Sequence, residues 1–87
     1  MEYNYQTDRD MLLTEEGQVM FIKIRGNVQR LLVEAGAFRA LEAWKDVTGD
    51  HWIMLACLDY LVELGEIKEL TDDGVWGQHR VFVSARG

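Results

Sequence analysis

His51, His79 and Cys57 are the residues whose types could do covalent or metal chemistry, as a thiolate beside an imidazole base or as soft ligands to a cation. Their setting argues against both. Cys57 is the only cysteine, and it falls near the core flank of an apolar helical run, where thiols are usually inert. No pair of Cys or His residues has metal-ligand spacing, no glycine loop cradles a phosphate, and no Ser-His-Asp arrangement has support. The expectation is a chain with no catalytic activity, no metal and no cofactor. What remains is contact chemistry, carried by Trp52 and Trp76 and by cations on the first helix (Lys23, Arg25, Arg30), at its exit (Arg39) and near the C-terminus (Lys68, Arg80).

The elements that must position these groups follow from caps and periodicity. Thr14 is an N-cap with Glu15 and Glu16 in the first turn, and Phe21, Ile24, Val28, Leu31, Leu32 and Ala35 then share a face until Gly36 stops the run. Gly26 interrupts that first helix at about 1 kcal/mol relative to alanine. Ala37-Phe38-Arg39 is too short for more than one bridge of a strand. Leu41, Trp44 and Val47 give a short second helix with Trp44 in the core. Thr48-Gly49 makes the turn.

The third helix begins at Asp50, whose carboxylate caps the first free N–H groups, and stops at Gly65. Met54, Leu58, Leu61 and Gly65 form its core line, while Trp52, Ala56, Asp59 and Glu63 lie opposite, with Ile53 and Tyr60 on one shoulder and Leu55 on the other. Ile67 to Thr71 and Gln78 to Val83 then form an antiparallel hairpin about Asp72-Asp73-Gly74. Met1 to Asp10 shows no sustained period, so residues 1–13 read as an N-terminal arm, flexible or ordered on a partner, ahead of one domain over 14–87.

An 87-residue chain is near the lower limit of what folds alone, and 48% hydrophobic residues supply a core. One cysteine and no basic-then-apolar leader point to the cytoplasm, and no apolar run approaches the roughly 20 residues that span a bilayer. The formal net charge of -6 excludes a general phosphate-backbone binder, which needs Lys and Arg to displace counterions.

The order of helix, short strand, helix, turn, helix, strand, loop and strand over about residues 14–83 resembles the winged helix-turn-helix superfamily. In that family the third helix carries an apolar residue, leucines one and two turns later, a glycine and a β-branched residue, as Met54, Leu58, Leu61, Gly65 and Ile67 do here. Asp50 takes the place of the family's usual Ser or Thr cap, and Asp72 to Gly77 that of the wing tip. The resemblance implies an α+β fold, three helices with a C-terminal two-stranded β-hairpin wing. DNA-binding members present short polar and basic residues at the start of the third helix, but here those places fall to His51, Trp52, Leu55 and Ala56, with no Lys or Arg between Asp50 and Ile67.

Two functional readings follow. In the first, the chain is a protein-interaction module, a homodimer or an adaptor, whose contact surface is Trp52, Leu55, Ala56, Asp59 and Tyr60; the arm with Tyr3, Tyr5 and Met11 to Leu13 would otherwise cover that surface from within the chain. In the second, it is a sequence-specific DNA-binding transcriptional regulator, with contacts from His51, Lys68, Trp76, His79 and Arg80. Trp76 would then stack on a base, although it equally suits a plug folded back on the sheet. The acidic balance favours the first reading.

Overall fold

Residues 3–72, 75 and 77–85 are described by the computed structural model. Thr14 caps the longest helix as its type predicts, its hydroxyl oxygen accepting from the Gly17 N–H at 3.0 Å. This helix, α2 in chain order, spans Glu15–Ala35 and ends where Gly36 turns left-handed at φ +77°. Its buried line is Gly17, Met20, Ile24 and Val28, a turn of side chains apart at each step.

Ahead of Thr14 the arm is folded. Asn4 caps a one-turn helix α1 (Tyr5–Asp8), and a 3-10 turn follows over Arg9–Leu13, burying Leu12. The turn closes onto α2 at Gly17, where a β-carbon would stand 2.1 Å from the Met11 carbonyl oxygen. Only glycine permits that approach of two backbones.

After Gly36 come strand β1 (Ala37–Arg39) and a short helix α3 (Ala40–Ala43). The second helix was expected to run from Leu41 to Val47, and it stops earlier for two local reasons. The Asn27 amide of α2 donates to the carbonyls of Ala43 at 2.9 Å and Lys45 at 3.2 Å, taking acceptors that further helical turns would use. Asp46 then adopts φ +63°, which a right-handed helix cannot contain. Trp44 is buried as expected, whereas Leu41 is exposed.

Helix α4 (His51–Glu63) begins at Asp50, whose carboxylate accepts from the Trp52 N–H at 2.7 Å. Every residue from Ile53 to Leu58 is buried, and so is Leu61. Strand β2 (Ile67–Glu69) follows, then a 3-10 turn over Gly77–His79 and strand β3 (Val81–Ser84). The returning strand thus starts later than its β-branched composition indicated, because residues 77–79 turn instead of extending. Asp73, Gly74 and Trp76 lie outside the described residues.

The sheet has three antiparallel strands in the order β1-β3-β2, where a two-stranded hairpin was expected. β1 makes more than a bridge: Ala37, Phe38 and Arg39 register with Val83, Phe82 and Val81, and the Ala40 N–H continues the ladder to the Arg80 carbonyl at 2.8 Å. Phe38 and Phe82 face each other across it, their rings stacked at 5.4 Å, and that buried pair supplies the driving force for so short a strand. The architecture of the described residues is therefore α+β, four helices with a three-stranded antiparallel sheet.

The two interior glycines of α2 have opposite surroundings, since a β-carbon at Gly26 would meet nothing within 4 Å. Gly17→Ala is expected to lower stability by roughly 1–3 kcal/mol through overpacking, and Gly26→Ala to raise it by up to about 1 kcal/mol. Urea denaturation of both variants checks the pair, and equal effects would contradict the packing described.

Candidate interaction surface

The second half of α4 is covered on its outward side by the chain itself. Three polar contacts from the arm reach the second half of the helix: the Tyr3 hydroxyl donates to Asp59, the Tyr5 hydroxyl to Glu63 at 2.9 Å, and the Arg9 guanidinium to Glu63 at 3.2 Å. Burial and then the bond to Glu63 push the Tyr5 hydroxyl up to about 12; the same two causes, with Asp59 as partner, raise Tyr3 further. Both phenols therefore stay protonated donors across the ordinary pH range.

At the centre of this cover lies Arg80. Alternation along β3 sends Arg80 to the same face as Phe82, so its side chain starts toward the interior. Glu69 registers opposite Phe82 and lies on that same face. The guanidinium meets both Glu69 oxygens at 2.8 and 2.9 Å and an Asp59 oxygen of α4 at 2.6 Å, and it passes over the Phe82 ring at 5.2 Å. With only 13% of its side chain exposed, Arg80 is held by two carboxylates. Burial opposes its charge, but the bonds to Glu69 and Asp59 outweigh that and raise its pKa. Burial likewise works to raise Glu69, yet hydrogen bonds from Arg80 and Thr71 hold its carboxyl below the ordinary value.

These placements redraw the expected contact surface. Ala56 is fully buried, and Leu55 is 9% exposed with its methyl groups against Gly77, where a β-carbon would meet Leu55 Cδ2 at 2.9 Å. Asp59 is bound to Arg80 and Tyr3, and Tyr60 is half-buried with its ring 5.3 Å from Phe21. Trp52 is half-buried against the core. The five residues are thus brought onto one helix, with Leu55 and Ala56 in the interior and Trp52, Asp59 and Tyr60 half-buried at its edge. A helix apolar all round cannot keep a free face once an arm is available to cover it.

The residues expected to touch nucleic acid are not gathered into one site. Arg80 is committed to carboxylates. Lys68 is exposed on β2, His79 is exposed beside Gln78, and His51 is exposed at the start of α4 with its ring stacked on Trp44 at 5.8 Å. Trp76 lies outside the described residues. Beside His51 a shallow concavity of about 430 Å³ is lined by Leu41, Glu42, Trp44, Lys45, Val47 and Met54. The Trp44 indole N–H is buried there without an acceptor among the described residues.

Cys57 is fully buried, and desolvation pushes its thiol up to about 12, so it remains a neutral thiol near neutral pH. Among the described residues no group of three His, Cys, Asp or Glu is placed to hold a metal ion, and no helix is long and apolar enough to cross a membrane.

Sequence reasoning missed a second apolar surface, on the outer side of α2. Val19, Ile22 and Val33 are 49%, 68% and 88% exposed, and they lie within about 40° of Gly26 when the helix is projected at 100° per residue. The signal was present: these are the aliphatic residues of the helix that fall off its core line. Comparison with protein-family models, with curated proteins and with solved structures finds no match to this chain.

Two outcomes are expected of the Arg80 cluster. Arg80→Met should cost roughly 1–3 kcal/mol, because it leaves two partly buried carboxylates facing each other without their cation, and chemical denaturation measures it. The depressed Glu69 contributes stability that is complete above the unfolded carboxylate value near about 4.3 and is lost as pH falls through its lower folded value. Acid titration of stability should therefore be flatter in Glu69→Gln than in the parent chain.

Proposed function

We propose that this chain is a small winged-helix protein-interaction module that does no catalysis and works by binding another protein. The element order, with strands arranged β1-β3-β2, is compatible with a winged helix. The observation that carries the reading is the enclosure of α4, the helix that would enter a major groove in such a fold. Its outward carboxylates Asp59 and Glu63 are tied to the arm, and Asp59 also binds Arg80 at the base of the wing. At its exposed start the helix offers His51 and Trp52 and no Lys or Arg, and further along it carries Asp59 and Glu63, which phosphates repel, in a chain of net charge -6.

Self-association through the start of α4 is disfavoured by the same enclosure, since Leu55 and Ala56 are already in the core. The partner surface is then sought among apolar side chains left in solvent. Three of these, Val19, Ile22 and Val33, share one face of α2, while Leu13, Leu41, Val62, Leu64, Leu70 and Val75 are exposed singly elsewhere.

Fluorescence anisotropy with a random-sequence DNA duplex, titrated from low to moderate salt, tests the reading. The expected result is no saturable binding even at low salt, with light scattering giving a monomer mass throughout. Tight duplex binding that falls steeply with salt would restore the DNA-binding regulator in its place.

A further inference from the structure

We infer that residues 3–10 are a strap that unlatches from α4 as one unit while the rest of the fold stays closed, so that its position governs access to Asp59, Glu63 and Tyr60. This goes beyond the interaction reading and does not depend on which partner is bound. The segment is built as a separate piece. Its backbone hydrogen bonds close within it, the Asn4 carbonyl accepting from the N–H groups of Thr7 at 3.1 Å and Asp8 at 2.8 Å, and the Tyr5 carbonyl from that of Arg9. Side chains complete the set, since the Asn4 amide oxygen accepts from the Gln6 N–H at 2.9 Å and the Asp8 carboxylate from the Asn4 N–H at 3.1 Å. Among the described residues no backbone hydrogen bond joins this segment to α4 or to the sheet, and α1 buries none of its residues.

What fastens the strap is its side chains, and all three polar contacts end on two carboxylates one helical turn apart. Tyr3 donates to Asp59, and Tyr5 and Arg9 donate to Glu63. Charge works against the union. One cation, Arg9, against two carboxylates, Asp8 and Asp10, gives the strap a net charge of -1, so two neutral hydroxyls and one guanidinium hold an acidic segment to an acidic stretch of helix. The Arg9–Glu63 pair lies in solvent, with 42% and 40% of its side chains exposed, and such pairs contribute little.

The other end of the arm is fixed. Leu12 is buried, its carbonyl accepts from the Gln18 amide at 2.5 Å, and Gly17 holds the Met11 backbone against α2. Between this anchor and the strap the packing is incomplete, with a cavity of about 270 Å³ lined by Arg9, Asp10, Leu12, Leu13, Gln18 and Tyr60. Motion about Asp10 therefore leaves Leu12 in the core. It also spares the Arg80 cluster, because Asp59 keeps its bond to Arg80 when Tyr3 departs. A helix of one turn does not persist alone in water, so α1 melts as the strap leaves.

Trypsin tests this on the full chain, because the bond after Arg9 lies in the strap and those after Lys23 and Arg30 lie in α2. Cleavage of each bond follows the population in which its segment is open. Read by mass spectrometry, cleavage after Arg9 should be at least about tenfold faster than cleavage in α2, and slower than in a synthetic peptide of residues 1–13. Tyr3→Phe with Tyr5→Phe removes the hydroxyls and keeps the rings, and should speed cleavage after Arg9 roughly tenfold. Glu63→Ala, at an exposed position, should act in the same direction. Val28→Ala in the core, or urea below the unfolding transition of the parent chain, should speed cleavage in α2 and leave cleavage after Arg9 unchanged. A rise after Arg9 in step with α2 under either condition would mean that the arm opens only with the whole fold, and would overturn the proposal. Cleavage after Arg9 as fast as in the free peptide, or indifferent to both hydroxyls and to Glu63, would overturn it as well.

Discussion

Helix α4 is apolar on nearly every side, and the chain is organised around the need to keep it from water. Its run from Ile53 to Leu58 is buried without a break, which a helix lying on a single support cannot achieve. Helix α2 covers one side with Met20, Ile24 and Val28, the sheet contributes Phe38, Ile67 and Phe82, and the folded arm closes the remainder with Leu12 and its two tyrosines. At about 25 cal/mol per Å² of apolar surface removed from water, each of these large side chains contributes a few kcal/mol before conformational entropy is charged against it. No single support is dispensable in a domain of this size.

The Arg80 cluster is a different kind of constraint. A partly buried ion group adds little net stability, since desolvation offsets most of its attraction. Its effect is on register. If β3 slipped by one residue against its neighbours, Arg80 would turn to solvent, Phe82 would leave the core, and Asp59 and Glu69 would face each other without their cation. The cluster also ties together three parts far apart in the chain, because Asp59 on α4 accepts from both Arg80 of the returning strand and Tyr3 of the arm.

Covering α4 from within the chain has a consequence for the other long helix. With its inner line spent on the core, α2 faces solvent with Val19, Ile22 and Val33 on the opposite line.

Much of the local structure was legible in the residues. Thr14 and Asp50 announced the starts of α2 and α4, Gly36 and Gly65 their ends, and the aliphatic spacing their inner faces, because caps and periodicity are properties of neighbours along the chain. The third strand, the early end of the second helix and the fold of the arm were not, since they depend on Phe38 finding Phe82, Asn27 reaching the Ala43 carbonyl, and Tyr3 reaching Asp59. The contact residues divide in the same way. Sequence spacing placed Trp52, Ala56 and Asp59 on the line of α4 away from its core face, but whether that line met water or the arm was a question of closure between residues more than 50 positions apart. Parity with Phe82 was enough to turn Arg80 inward; the carboxylates that hold it there come from a helix and a second strand, and only the tertiary structure brings them within reach of one guanidinium.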